Sequence, residues 1–243
     1  MKTIRRVSRS QRRSRSLLIL MLSIFLLEAV FVADAATLMV GTEDSIQAAI
    51  FKAKPSDTII VNAGVYYEHL KVDKPVHLKG IGWPVLDATS SGSAITIKAD
   101  GATVEGFRIK NAGSLMDMKA SEAGIKVLSS NNRIDGNNIS NNFNGLLIQG
   151  GRNNTIANNT VDGNLGFGIR LDRAMNNTIA NNSLDDNSQN AFDSGPNLWD
   201  NNRYGDYDLP EKGCSDRGDG ICQRSYTVPG GLNVDLGPRA KRI

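Results

Sequence analysis

The sequence predicts an all-β fold, a right-handed parallel β-helix whose coils of about 21–23 residues stack into a three-sided solenoid with a short N-terminal capping helix and an irregular C-terminal cap. Three observations carry this. One short phrase is written three times, as Asn132-Arg133-Ile134-Asp135-Gly136-Asn137-Asn138-Ile139, Asn154-Thr155-Ile156-Ala157-Asn158-Asn159-Thr160-Val161 and Asn177-Thr178-Ile179-Ala180-Asn181-Asn182-Ser183-Leu184. Ile134, Ile156 and Ile179 recur at intervals of 22 and 23 residues, too short a unit to bury its own apolar face without stacked neighbours. Between the isolated Ile and Val positions lie Asn and Gly rather than the Leu-rich signature and helical return of a leucine-rich repeat, so each period reads as short strands cut by turns. Stacked at about 4.8 Å, Ile falls on Ile in the interior, and Asn142, Asn164 and Asn187 fall in line as a ladder of amides. Asn also accepts the left-handed backbone of a sharp corner, and the right hand of the coil follows the usual chirality of parallel crossovers.

Taken in order, the chain opens with a segment to be set apart. Arg5, Arg6, Arg9, Arg12, Arg13 and Arg15 precede an apolar run from Leu17 to Val32, and Ala33-Asp34-Ala35 ends it with small residues at the −3 and −1 positions of a cleavage site. Residues 1–35 read as a secretory signal peptide, which places the protein in the periplasm, outside the cell or on its surface. An uncleaved anchor is the alternative, with membrane contact through the leader alone. The leader holds seven basic and two acidic residues, leaving 21 basic against 23 acidic in the remainder. The basic balance of the whole chain therefore belongs to the leader, and nothing beyond it forms the basic stripe of a nucleic-acid binder.

Residues 36–195 are expected to form the β-helix with its N-terminal cap. Asp44-Ser45-Ile46-Gln47 reads as a capping box with Asp44 as the cap, followed by an apolar stripe at Ile46, Ala49, Ile50 and Ala53 and stopped by Pro55. Strands follow at Thr58 to Val61, His69 to Val72, Val76 to Lys79, Val85 to Asp87 and Ala94 to Ile97. Gly124-Ile125-Lys126-Val127, Gly145-Leu146-Leu147-Ile148 and Gly168-Ile169-Arg170-Leu171 occupy one wall. The longer step from Ala94 to Gly124 requires a loop at Ser114 to Glu122 to protrude from that coil. After Asn190 the rhythm stops, and residues 196–243, rich in Asp, Gly, Pro and aromatics, read as an irregular C-terminal cap. Its Cys214 and Cys222 are expected to form a disulfide, the usual fate of a cysteine pair in an exported chain, adding about 2–3 kcal/mol for so small a loop.

Three stretches together carry a family resemblance. Ser45-Ile46-Gln47-Ala48-Ala49-Ile50, with Asp57-Thr58-Ile59-Ile60-Val61 and Gly64-Val65-Tyr66-Tyr67-Glu68, resembles the opening of NosD-type and pectin-esterase-type β-helices. The Asn-rich coils resemble the NosD repeat of the CASH class, the carbohydrate-binding and sugar-hydrolase domains. The tail, through Tyr204-Gly205-Asp206-Tyr207, Asp216-Arg217-Gly218-Asp219-Gly220-Ile221 and Gly230-Gly231-Leu232-Asn233-Val234-Asp235, looks like the NosD-type cap. The likeness implies the fold, while the family hosts binders, lyases and epimerases alike.

For function, sugar cleavage would need paired acids beside a basic element. Asp185-Asp186 and Arg108-Ile109-Lys110 are present, but the basic element comes before the acids, and His69 and His77 lie in the first coils without a Gly-His-Gly. Asp185-Asp186 therefore reads as a solvated corner. The later Gln/Asp/Asp/Arg set of an esterase is not found, and Asp172 with Arg173 near Arg170 is only a fragment of a calcium-dependent lyase site. Met116 and Met118 are the candidate ligands for copper, which the NosD resemblance suggests. Asp216 and Asp219 are the candidates for calcium. Asn138, Asn153, Asn158, Asn176 and Asn181 begin glycosylation sequons, with Asn153 and Asn176 the expected outer corners. The reading that results is an exported non-catalytic β-helix whose Lys126, Gln149, Arg170 and Asp172 bind an extended ligand, a polysaccharide or an envelope protein. A polysaccharide lyase or hydrolase and a copper-handling accessory protein are the alternatives.

Overall fold

The computed structural model describes residues 35–113 and 121–241. The leader, Met116 and Met118 lie outside the described residues. Among the described residues, strands wind through three walls of ten, seven and six, here A, B and C, in about seven turns, all pairing in parallel except Tyr226–Thr227 at the end of wall A. A central turn runs through Arg133–Asp135 on wall A, Asn138–Ser140 on wall B and Asn144–Gln149 on wall C. Ile134 pairs in register with Ile156, and Ile156 with Ile179, all three fully buried. The inward column extends upstream through Val104, Leu78 and Ile59, so the apolar interior is continuous along wall A.

Three rows of asparagines, buried except at their last members Asn187 and Asn197, run along the corners. Before wall A, Asn132, Asn154 and Asn177 each donate Nδ2 to the next Oδ1, ending on Asn197, at 2.8–2.9 Å. Asn137, Asn159, Asn182 and Asn202 do the same between walls A and B, and Asn142, Asn164 and Asn187 between B and C. The same Oδ1 atoms accept the backbone N–H of the preceding asparagine, so each corner closes its own polar groups without water. Other asparagines serve as exposed corners instead: Asn131, Asn153, Asn158, Asn176 and Asn181 all have φ between 54° and 59°. A side chain at Gly145 is excluded where wall B bends into wall C, because its Cβ would lie 2.4 Å from Val161 Cγ1 and 2.6 Å from the Gly168 carbonyl oxygen.

The helix Ile46–Lys52 closes the first coil with Ile46, Ala49 and Ile50 inward. Its cap is Ser45, whose Oγ accepts from Ala48 N, and not Asp44, which accepts from Gly41 N. With the cap one residue later, Gln47 falls too early to complete a capping box. Glu68 from the coil beneath takes that role, accepting from Ser45 Oγ, Ile46 N and Gln47 N at 2.8–3.0 Å. Gln47 is thereby free to face the edge strand of wall C, where its amide accepts from Lys71 N and donates to Lys71 O, standing in for a missing strand. Lys74 Nζ caps the other end on the carbonyls of Ile50, Phe51 and Ala53.

Stacking continues beyond residue 195. Leu198–Asp200 and Arg203–Tyr204 add strands to walls A and B, with Trp199 over Ile179 and Tyr204 over Leu184. Beyond Tyr204, Val234–Asp235 joins wall A, Tyr226 stacks on Tyr204 at 3.8 Å, and Cys214 and Cys222 form a disulfide.

Adjacent asparagines should respond differently to replacement. Asn159→Ala strands the Asn137 N–H in the interior and removes the amide donor from the Ile134 and Ala157 carbonyls, and should lower stability by about 3 kcal/mol in urea denaturation. Asn158→Gly, at an exposed left-handed corner, should change it by less than about 1 kcal/mol.

Candidate functional site

Wall C brings together the four residues expected to bind ligand. Strands Ala123–Val127, Asn144–Gln149, Phe167–Asp172 and Gln189–Asp193 lie side by side, their alternate residues facing inward and outward. Lys126, Leu147, Arg170 and Phe192 share one register column, in which Leu147 is fully buried, and Gln149 pairs with Asp172 in the next. Arg170 is held on three sides. Asp172 Oδ1 accepts from its Nε at 2.9 Å, and the guanidinium carbon lies 4.8 Å from the Phe167 ring centre and 5.5 Å from that of Phe192. The two rings are themselves 5.5 Å apart, so cation–π attraction and the ion pair fix the guanidinium plane while its two terminal nitrogens have no partner among the described residues. Lys126 likewise has no carboxylate partner among the described residues.

Wall B carries a second polar constellation, which single stretches of sequence conceal. Its outward column is Asp87, Lys110, Ser140, Asp162 and Asp185. Lys110 pairs with Asp87 at 3.4 Å, and Arg203 holds Asp185 at 2.9 Å while also pairing with Asp208. Asp162 Oδ1 is buried without a hydrogen-bond partner. Burial, with the charges of Asp185 and Asp186, raises the pKa of Asp162. Burial acts on Asp185 in the same sense, but the hydrogen bond and charge of Arg203 outweigh it and lower its pKa. Two in-register carboxyls are thus pushed in opposite directions, the condition that separates an acid from a base. Asp186 alone is the solvated corner, with φ of 50°, whereas Asp185 belongs to the strand. The histidines stand elsewhere: His69 Nδ1 is 3.0 Å from the Ser93 carbonyl and His77 Nε2 3.2 Å from Glu105.

In the cap, Asp216 Oδ1 accepts from Gly218 N and Gly220 N, and Asp219 Oδ1 from Ile221 N. Both carboxylates thus shape the loop around the disulfide. Among the described residues no group of three or more His, Cys, Asp or Glu is arranged to hold a metal. Likewise no helix there is long and apolar enough to cross a membrane.

Three walls of stacked strands define a right-handed parallel β-helix. In sequence, residues 85–204 match the family model described as right handed beta helix region, which covers the central coils and ends at the last strand of wall B. No curated protein matches the chain. Solved structures of similar fold include an alginate lyase from Paenibacillus sp. str. FPU-7, 18% identical with a TM-score of 0.58 over 70% of this chain and 66% of that one. Another is the pectate lyase Pel9A, 17% identical with a TM-score of 0.50 over 72% of this chain and 63% of that one. The chain spans slightly less than two thirds of either lyase, and at these identities the likeness is one of fold.

The opposed carboxyls give stability a readable pH dependence. A raised folded pKa makes Asp162 favourable only below the ordinary carboxylate range, and its contribution falls as pH climbs through the folded value. Asp185, depressed, contributes above that range and loses its contribution as pH falls through its folded value. Asp162→Asn should therefore stabilise the protein at pH 7, with the gain shrinking toward pH 4, and Asp185→Asn should destabilise it at pH 7, in urea titrations across that range.

Proposed function

We propose that the chain is an exported β-helix that binds an extended polysaccharide along wall C. The observation that carries this is the Arg170 clamp, in which Phe167, Phe192 and Asp172 fix a guanidinium whose two terminal nitrogens have no partner among the described residues. Aromatic faces take the apolar side of a sugar ring, and a preorganised guanidinium pairs with carboxylate or hydroxyl groups at little entropic cost. Lys126, Gln149 and Asp172 extend the polar groups along and across the column. The two lyases of like fold, named for alginate and pectate, support a carbohydrate ligand.

A second reading, a polysaccharide lyase or hydrolase, is favoured by Asp162 and Asp185 on wall B. These in-register carboxyls have pKa values shifted in opposite directions, the pairing an acid and a base need.

Replacing Lys126, Gln149, Arg170 and Asp172 together with alanine should weaken binding on a glycan array at least tenfold while leaving the thermal midpoint near its parent value. Unchanged array binding would exclude wall C. Release of sugars from uronate polymers, lost in Asp162→Asn, would establish the enzymatic reading instead.

A further inference from the structure

Near the N-terminal end, the corner where wall B turns into wall C carries a serine and a histidine in contact. In one coil this corner is Ala88 to Ser93, between the strands Val85–Asp87 and Ile95–Ile97. In the coil before, His69 stands just ahead of the strand Leu70–Val72, and the pairing of Leu70 with Ile95 sets its ring beside the later turn. His69 Nδ1 lies 3.0 Å from the carbonyl oxygen of Ser93, which can only accept, so the proton of the neutral ring sits on Nδ1 and the lone pair on Nε2. Ser91 Oγ lies 3.3 Å from that Nε2. A nucleophile therefore touches a base, and the base is oriented by a third group, the arrangement that activates a hydroxyl. The same hydroxyl lies 3.3 Å from the Ala88 carbonyl oxygen, and contacts of this length tighten toward the base when substrate binds.

The turn is held in a shape that ordinary residues resist. Thr89 and Ser90 have φ of 53° and 57°, a left-handed backbone that is costly for a β-branched threonine and that persists where the surroundings enforce it. Asp87 Oδ1 accepts from Thr89 N and the Asn111 carbonyl from Ser90 N, while the Gly92 carbonyl accepts from Gly113 N and Ser93 Oγ from Ala123 N. Gly92, with φ of 46°, lets the turn approach the ring, since a Cβ there would meet Cε1 and Nδ1 of His69 at 3.4 Å. The N–H groups of Gly92 and Ser93 have no hydrogen-bond partner among the described residues, and Gly92 directly follows the serine, the place from which a backbone donor serves an oxyanion.

We propose that Ser91 and His69 are the nucleophile and base of an acyl-transfer site that hydrolyses carboxylic esters of short acyl groups. Ser91 Oγ attacks the acyl carbon, an Oγ–C bond forms, and the hydroxyl proton passes to His69 Nε2. As the tetrahedral oxyanion collapses, the bond from the acyl carbon to the alcohol oxygen breaks, and Nε2 returns the proton to the leaving alcohol. Water repeats the sequence on the acyl-serine with His69 as base, releasing the acid and restoring Ser91. Both side chains are exposed, and Thr89, Ser90, Gly92 and Ser93 around them are small and polar, which suits a short acyl group on a large projecting alcohol and offers a long acyl chain no apolar surface. The site uses none of the residues of the ligand-binding reading and does not depend on it.

The test is hydrolysis of p-nitrophenyl acetate and p-nitrophenyl octanoate by the whole chain, beside mass spectrometry after exposure to a fluorophosphonate reagent. The acetate should turn over, the octanoate about tenfold or more slowly, and the reagent should label Ser91. Ser91→Ala, which removes only an exposed hydroxyl, should return the rate to that of buffer with the thermal midpoint at its parent value. His69→Gln should lower both turnover and labelling about a hundredfold or more, and Ser90→Gly and His77→Gln, outside the pair, should change either by less than about twofold. Absence of both turnover and label at Ser91 in the parent chain would overturn the proposal, as would turnover that survives Ser91→Ala. Ser91 labelled equally fast in His69→Gln would overturn the role of the histidine as base, and equal rates with the two esters would overturn the short-acyl assignment.

Discussion

The amide rows give the solenoid a direction. Each asparagine accepts from the coil before and donates to the coil after, so every row begins with spare acceptors and ends with spare donors. At the start the acceptors take the backbone N–H of Ala102, Phe107 and Ala112. At the finish the donors need a group that only accepts, and all three rows end on a carboxylate. Asn197 Nδ2 reaches Asp193, Asn202 reaches Asp235, and Asn187 passes through Asn190 to Asp206. Such groups are costly to bury unless they are hydrogen-bonded. Asp193 shows the cost. Burial raises its pKa despite hydrogen bonds from Trp199 Nε1, Gly195 N and Asn197 Nδ2.

The coil was legible because its repeat is local: Ile134, Ile156 and Ile179 stand in nearly identical surroundings at nearly constant intervals. The final turn was not, since Asn197 and Asn202 follow their partners by 20 residues and Trp199 and Tyr204 take the places held by Ile and Leu upstream. Larger rings fill the same core positions where the interior meets the cap, so the lettering changes while the stacking persists. At the other end, the acid that holds the helix N-terminus is Glu68, more than twenty residues away, whereas a motif reading looks only within the helix itself.

Surface chemistry was less legible than the core. Inward positions repeat a residue type, so a period reveals them, whereas outward positions vary freely from coil to coil. Lys71 and Arg170 are seen to share one column only after the register of the four pairings between them is known. The same holds for Asp162 and Asp185, whose opposed titration depends on Arg203 in the next coil and on Asp186 at the corner. Pairing Asp185 with Asp186, as the sequence invites, joins two residues of different roles.

The capped C-terminal end has a bearing on self-association. A parallel stack that stopped at Tyr204 would leave three rows of unsatisfied donors and open sheet edges available to pair with another chain. Asp193, Asp206 and Asp235 satisfy those donors within the chain, and the antiparallel strand Tyr226–Thr227 turns the last edge of wall A out of phase with any parallel partner. The carboxylate terminators thereby keep a one-dimensional architecture finite.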